Sequence, residues 1–173
     1  MKTFLELAEA RYSVRAFRPD AAVEEEKTAA ILRAAQLAPT ACNNQPQKIY
    51  AVRTPELLEK LSAVTPCIYH APLVFVVCFD ESRSAKGKVT PGYDFGYTDA
   101  AIVCTHMMLE AFEQGLGSCW VGWFAEQDVK AALGLPEHIR VADLLPVGYP
   151  ARDAKPSGMH TDTRTLDDMA EFL

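Results

Sequence analysis

Leu73-Val74-Phe75-Val76-Val77-Cys78-Phe79 is the stretch that most restricts what this chain can become. It is uninterrupted apolar sequence, rich in β-branched and aromatic residues, with Pro72 before it and Asp80 after it. A run this short is a strand and falls well below the ~20 residues that a membrane-spanning helix needs. Having no polar positions in alternation, it must be covered on both faces, which makes it a central strand between layers of helices. The remaining periodicities supply those layers. Phe4, Leu5 and Ala8 fit a short opening helix. From Glu24 to Ala38, Ile31, Leu32, Ala35 and Ala38 recur at helical spacing, with three glutamates at the positive end of the dipole and Pro39 as the stop. Pro55 opens a helix through about Ala63. Between Tyr97 and Gln114 apolar residues cover more than one face, so that helix is buried in the core or in a subunit interface, and Gly115 caps it. Glu126 to Leu133 is a last helix, ended by Gly134, while Ile49 to Val52, Ser118 to Phe124 and Arg140 to Val147 read as further strands. Residues 81–96 form the one long connection, expected to be flexible and a candidate lid. Strands alternating with helices place the chain in the α/β or α+β class, with a mixed sheet between helices.

At 173 residues the chain is expected to form a single domain, residues 1–173, with 151–173 as a trailing arm. A composition 49% hydrophobic and 23% charged is that of a folded globular protein, and a net charge of -6 is the wrong sign for a nucleic-acid coat or an anionic membrane surface. No nucleic-acid or membrane partner is therefore expected. Met1 to Ala10 has no apolar core of a signal peptide, and the five cysteines are odd in number with no CxxC pair, so a cytoplasmic address and no disulfide framework are expected. His70, His106, His138 and His160 are scattered without ligand spacing, and no metal site is expected.

Three segments carry chemistry. Arg11-Tyr12-Ser13-Val14-Arg15-Ala16-Phe17-Arg18 concentrates guanidinium groups and contains no acid, in a protein that is acidic overall. In extended structure Arg11, Ser13 and Arg15 share one face while Val14 turns into the core, and that face is suited to a phosphate. Pro39-Thr40-Ala41-Cys42-Asn43-Asn44-Gln45-Pro46 is a loop of amide side chains, which serves either turn chemistry or the polar edge of a heterocycle. Gly115-Leu116-Gly117-Ser118-Cys119-Trp120-Val121-Gly122-Trp123-Phe124 follows a helix and lacks the GxGxxG spacing, which rejects a dinucleotide fingerprint. Gly122 within a strand reads as a place where something flat approaches the backbone.

In this order and at these separations, the three segments resemble the nitroreductase family of FMN-dependent oxidoreductases. Ala71-Pro72 before the apolar strand, Asp99 heading a long helix and Val147-Gly148-Tyr149-Pro150 before the tail add to the likeness. The resemblance implies an α+β nitroreductase-like fold, a mixed central sheet flanked by helices, and a domain-swapped type of homodimer with FMN at the subunit interface. It implies that Arg11 and Ser13 hold the FMN phosphate, with Tyr12 contributing through its backbone, and that Arg15 reaches the ribityl chain and the flavin edge. Asn43 and Gln45, with the backbone around Pro39, Thr40 and Ala41, would come from the other subunit. Trp120, Val121, Gly122 and Trp123 would lie beside the ring, with the Gly122 N–H as the catalytic contact, and Arg164 would complete the phosphate clamp. The implied activity is hydride transfer from NAD(P)H through the flavin to a nitroaromatic, quinone or similar small-molecule acceptor, by a ping-pong mechanism. Two alternatives stay open: an FMN enzyme dedicated to one substrate, which would turn over poorly with NADH and NADPH, and a non-catalytic flavin sensor, whose FMN NAD(P)H would not reduce.

Overall fold

A computed structural model describes residues 3–173, so Met1 and Lys2 of the opening segment lie outside the described residues. In chain order the elements are α1 (Phe4–Ala10), α2 (Glu25–Leu37), β1 (Gln47–Val52), α3 (Pro55–Val64), β2 (Leu73–Asp80), α4 (Gly96–Glu113), β3 (Gly117–Ser118), α5 (Glu126–Leu133), β4 (Ile139–Gly148) and α6 (Leu166–Met169). The sheet order is β1-β2-β4-β3. The apolar run is thus an inner strand, buried from Leu73 to Cys78 and through Phe79. Its two faces feed two cores. Leu73, Phe75, Val77 and Phe79 pack with Ile31 and Ala35 of α2 and with Val103, Cys104 and Met107 of α4. Val74, Val76 and Cys78 pack with Leu61 of α3 and Val129 of α5. Burial of each large side chain contributes about 1.5–3 kcal/mol, which is why this strand organises everything around it.

Several expectations are corrected. The four strands pair antiparallel throughout, and the parallel component of the expected mixed sheet is confined to one bridge, Ser13 to Ser118. The strand expected over Ser118 to Phe124 shrinks to Gly117–Ser118 plus an isolated bridge between Val121 and Leu144. Its register along β4 is unbroken, but Pro146 faces Cys119. The Pro146 carbonyl accepts the Cys119 N–H at 3.2 Å, and proline has no N–H to return, so the ladder lapses there. Leu32, expected on the buried face of α2, is exposed. Residues 81–96 are not a free lid: Lys86 pairs with Asp94, the Gly87 N–H donates to the Tyr93 carbonyl at 2.8 Å, and Phe95 N–H donates to Ala85 at 3.0 Å. Ser84 and Ala85 are buried, leaving a closed hairpin-like turn with Val89 at its tip. Between β2 and β4 the register slips at Val77/Cys78, so Ala142 is the extra residue of a β-bulge beside Asp143.

Candidate functional site

The segment after α1 runs as an extra edge beside β3. Ser13 bridges Ser118, the Val14 N–H donates to the Ser118 carbonyl at 2.9 Å, and Arg18 and Ala151 tie the same segment to Tyr149 and Ala16. Val14 and Phe17 are buried with Ala71, flanked by Tyr12 and Tyr69. Arg15 is exposed and Arg11 and Ser13 are half-buried, while the burial of both Val14 and Phe17 breaks the period-two alternation beyond Arg15. Arg18 sits 3.9 Å from Asp20, but Arg11 and Arg15 join no ion pair among the described residues. The one hydrogen bond of the Arg15 guanidinium there is a long contact, 3.4 Å, to the Ser13 carbonyl. Burial pushes the Cys119 thiol up, while Arg15, Ser13 and Arg11 pull it back, which places these groups around one another. The Ser118 hydroxyl is buried here without a hydrogen-bond partner. Tyr12 donates to the Ala154 carbonyl at 3.5 Å and meets the His160 ring edge-on, so the tail folds back over this segment.

The two glycines nearby do different work. A Cβ on Gly117 would meet Val14 Cγ2 at 2.5 Å, so this glycine lets the Arg segment lie against β3. A Cβ on Gly122 would meet nothing within 4 Å. Val121 commits both its N–H and its carbonyl to Leu144, and its side chain is buried. Ladder alternation therefore turns the Gly122 N–H outward from the sheet edge. Trp123 is 79% exposed, with its carbonyl held by the Thr65 hydroxyl at 2.8 Å. Trp120 donates from Nε1 to Asp143 Oδ1 at 2.6 Å; burial pushes the Asp143 carboxyl up against the pull of that bond. Sequence reasoning missed Asp143, although a lone acid inside the apolar run of β4 was a visible signal.

The Pro39–Gln45 loop is strained. Cys42, Asn43 and Gln45 have φ of 55°, 54° and 48°, the left-handed region that L side chains occupy at a cost of about 1–2 kcal/mol each. Internal bonds close it: Gln45 N–H to Thr40 Oγ1 at 3.1 Å, and Gln45 Nε2 to Asn43 Oδ1 at 3.2 Å. The Asn44 amide donates to the Arg83 carbonyl at 3.0 Å, and the Ala41 N–H donates to Asp99 Oδ1 at 2.8 Å.

The structure brings Arg11, Ser13 and Arg15 together with Ser118 and Cys119, at the start of the segment that runs on to Trp123, and keeps the amide loop away from them. Ser118 pairs with Val147 and so with Leu73, whereas Pro46, after the loop, bonds Asp80 at the other end of β2. Six residue steps from Leu73 to Phe79 at about 3.4 Å each separate the two by roughly 20 Å within one chain. Arg164 donates to the Asp168 carbonyl inside the tail and makes no bond to the Arg11–Arg15 segment among the described residues.

The Nitroreductase family profile matches residues 8–66 and 65–149. A relative from Methanothermobacter thermautotrophicus is 33% identical over 156 residues, covering 86% of this chain and 78% of its own length, and carries a name that pairs NADH dehydrogenase with NAD(P)H nitroreductase. A nitroreductase family protein from Clostridium difficile 630 superposes with a TM-score of 0.91 at 32% identity, over 99% of this chain and 98% of that one. An FMN-dependent nitroreductase from Clostridium difficile R20291 superposes with a TM-score of 0.80 at 26% identity, over 98% of both chains.

Proposed function

The chain belongs to the nitroreductase family, and from that premise we propose that it is an FMN-dependent oxidoreductase working as a homodimer, one site being built from two copies. The observation that carries this reading is the separation of the Arg segment and the amide loop to opposite ends of β2, since a second copy is what brings such halves to one ligand. The residues fit FMN. Two guanidiniums that join no ion pair among the described residues, beside the Ser13 hydroxyl and a Ser118 hydroxyl unpartnered among them, offer a phosphate the donors it needs. The open space at Gly122 admits a flat ring where a side chain would stand.

In this reading Arg11 and Ser13, with the Tyr12 backbone, hold the phosphate, and Arg164 joins them from the tail. Arg15 would reach toward the ring and would stabilise negative charge at the flavin edge by preorganised electrostatics. Trp120 to Trp123 back the ring, with the Gly122 N–H as donor, while Pro39, Thr40, Ala41, Asn43 and Gln45 belong to the site of the second copy. When bound, FMN would supply hydride chemistry between NAD(P)H and a nitroaromatic, quinone or similar small-molecule acceptor, in a ping-pong exchange. No side-chain base is needed for that exchange. The arm 151–173 serves the second copy: Leu166, Met169 and Phe172 are exposed on one protomer, a surface that packing against another would bury. The first test is the absorption spectrum of the purified protein with its chromophore identified and counted, followed by anaerobic reduction with NADH and NADPH. About one FMN per chain, reduced by either, supports the reading. Protein that neither carries nor takes up FMN overturns it.

A further inference from the structure

Asp99 lies in the first turn of α4 with 2% of its surface exposed, and its two carboxyl oxygens differ in fate. Oδ1 accepts the Ala41 N–H at 2.8 Å, whereas Oδ2 is buried without any hydrogen-bond partner. Burial pushes the carboxyl up, the Ala41 bond opposes that rise, and Asp94 adds to it. Retaining an acid with one orphaned oxygen in the interior is costly, and the other oxygen shows what the arrangement serves. The Thr40–Gln45 loop holds three non-glycine residues in the left-handed region, and its other hydrogen bonds among the described residues lie within the loop or go to an exposed residue. Thr40, Asn43 and Gln45 bond one another, the Asn44 N–H donates to the Ala41 carbonyl at 3.1 Å inside the loop, and the Asn44 side-chain amide reaches out to the surface carbonyl of Arg83. Among the described residues, Asp99 is the one buried side chain whose polar group bonds the loop.

We propose that Asp99 is a positioning residue: its carboxyl latches the Ala41 N–H and so keeps Thr40, Ala41 and Asn43 in the strained backbone in which they serve the flavin of a second copy. This rests on the two-copy FMN reading given above. The latch needs an acceptor at Oδ1 and nothing at Oδ2, so an amide replaces the acid there and a methyl group does not.

The test compares wild type, Asp99→Asn and Asp99→Ala as purified proteins. Its readouts are hydrogen exchange at the Ala41 amide, FMN affinity by titration of the flavin-stripped proteins, and the separate values of kcat and KM. Ala41 is expected to be protected in wild type and Asp99→Asn and to exchange at least about tenfold faster in Asp99→Ala, as loss of a charge-assisted bond dictates. FMN affinity is expected to fall about tenfold in Asp99→Ala and to stay within about twofold in Asp99→Asn. A lowered melting temperature in both variants with unchanged FMN affinity would show a merely structural acid and overturn the role. Should Asp99→Ala not fold, rapid Ala41 exchange in wild type overturns the latch, and slow exchange with retained FMN affinity in Asp99→Asn upholds it. Wild-type protein that takes up no FMN overturns the flavin reading itself, whereas wild type that binds FMN no better than Asp99→Ala overturns the role of Asp99 alone.

Discussion

The Arg11–Phe17 segment and the Pro39–Gln45 loop are the two halves of the proposed site, and they are held in opposite ways. The first is woven into the sheet edge by backbone bonds to Ser118, Tyr149 and Ala151 and is anchored by buried Val14 and Phe17, so its conformation is robust and its function lies in its charge. The second spends left-handed backbone at Cys42, Asn43 and Gln45 and is tied down by a few side-chain bonds. Its function lies in conformation. A segment of the first kind fails chemically when a side chain is removed, and one of the second kind fails mechanically.

The contrast can be broken experimentally, most severely at the Arg segment. Arg11→Ala is expected to weaken FMN binding by about 30- to 150-fold, the equivalent of about 2–3 kcal/mol for a charge-assisted phosphate contact, with an unchanged melting temperature of the flavin-stripped protein. Fluorescence titration checks the first and calorimetry the second; full flavin occupancy would show that the phosphate lies elsewhere. Gly117→Ala attacks the same half mechanically, because the added Cβ strikes Val14, and is expected to destabilise by about 1–3 kcal/mol in denaturant titration. Gly122→Val meets open space in the fold, so it should leave stability within about 1 kcal/mol while cutting turnover by at least about tenfold through crowding of the ring. Unchanged turnover would remove Gly122 from the site. Cys42→Gly relieves a left-handed residue and is expected to change stability by no more than about 1 kcal/mol, in the stabilising direction, since glycine's extra chain entropy offsets part of the relief. The smallest effect concerns pH. Asp99 has a folded-state pKa above its ordinary value, so its ionisation opposes folding and the stability it allows is lost as pH rises through that folded pKa. The melting temperature of Asp99→Asn relative to wild type should therefore climb with pH; a gap independent of pH would show that the fold leaves the Asp99 carboxyl where it titrates in the unfolded chain, and a gap that shrinks as pH rises would show that the fold stabilises the anion.

Much of this was legible from residue order. The helices begin and end within a residue or two of where Pro39, Pro55, Gly115 and Gly134 place them, since cap and stop residues act on their own few neighbours. Val14 is inside and Arg15 outside, as period two requires, but Arg11 is half-buried and Phe17 turns inward against the alternation. The Ser118–Phe124 strand was not legible, because its length depends on Pro146 in another strand. Nor was the closure of residues 81–96, which turns on Lys86 finding Asp94 across the hairpin. Asp143 and Asp99 looked like an odd acid in a strand and a helix-start acid, and only the bulge at Ala142 and the approach of Ala41 show what each one bonds.

The sequence by itself determined the central buried strand, the helices around it and the cationic segment, because periodicity, capping and charge clustering are local properties of the chain, and the order of its motifs carried the family resemblance. The tertiary structure decided which donors meet which acceptors. It put the Arg segment and the amide loop at opposite ends of β2, left Gly122 facing open space while Gly117 is filled by Val14, and buried one oxygen of Asp99 without a partner. Those outcomes depend on strand register and on contacts between residues far apart in sequence, and no local pattern encodes them.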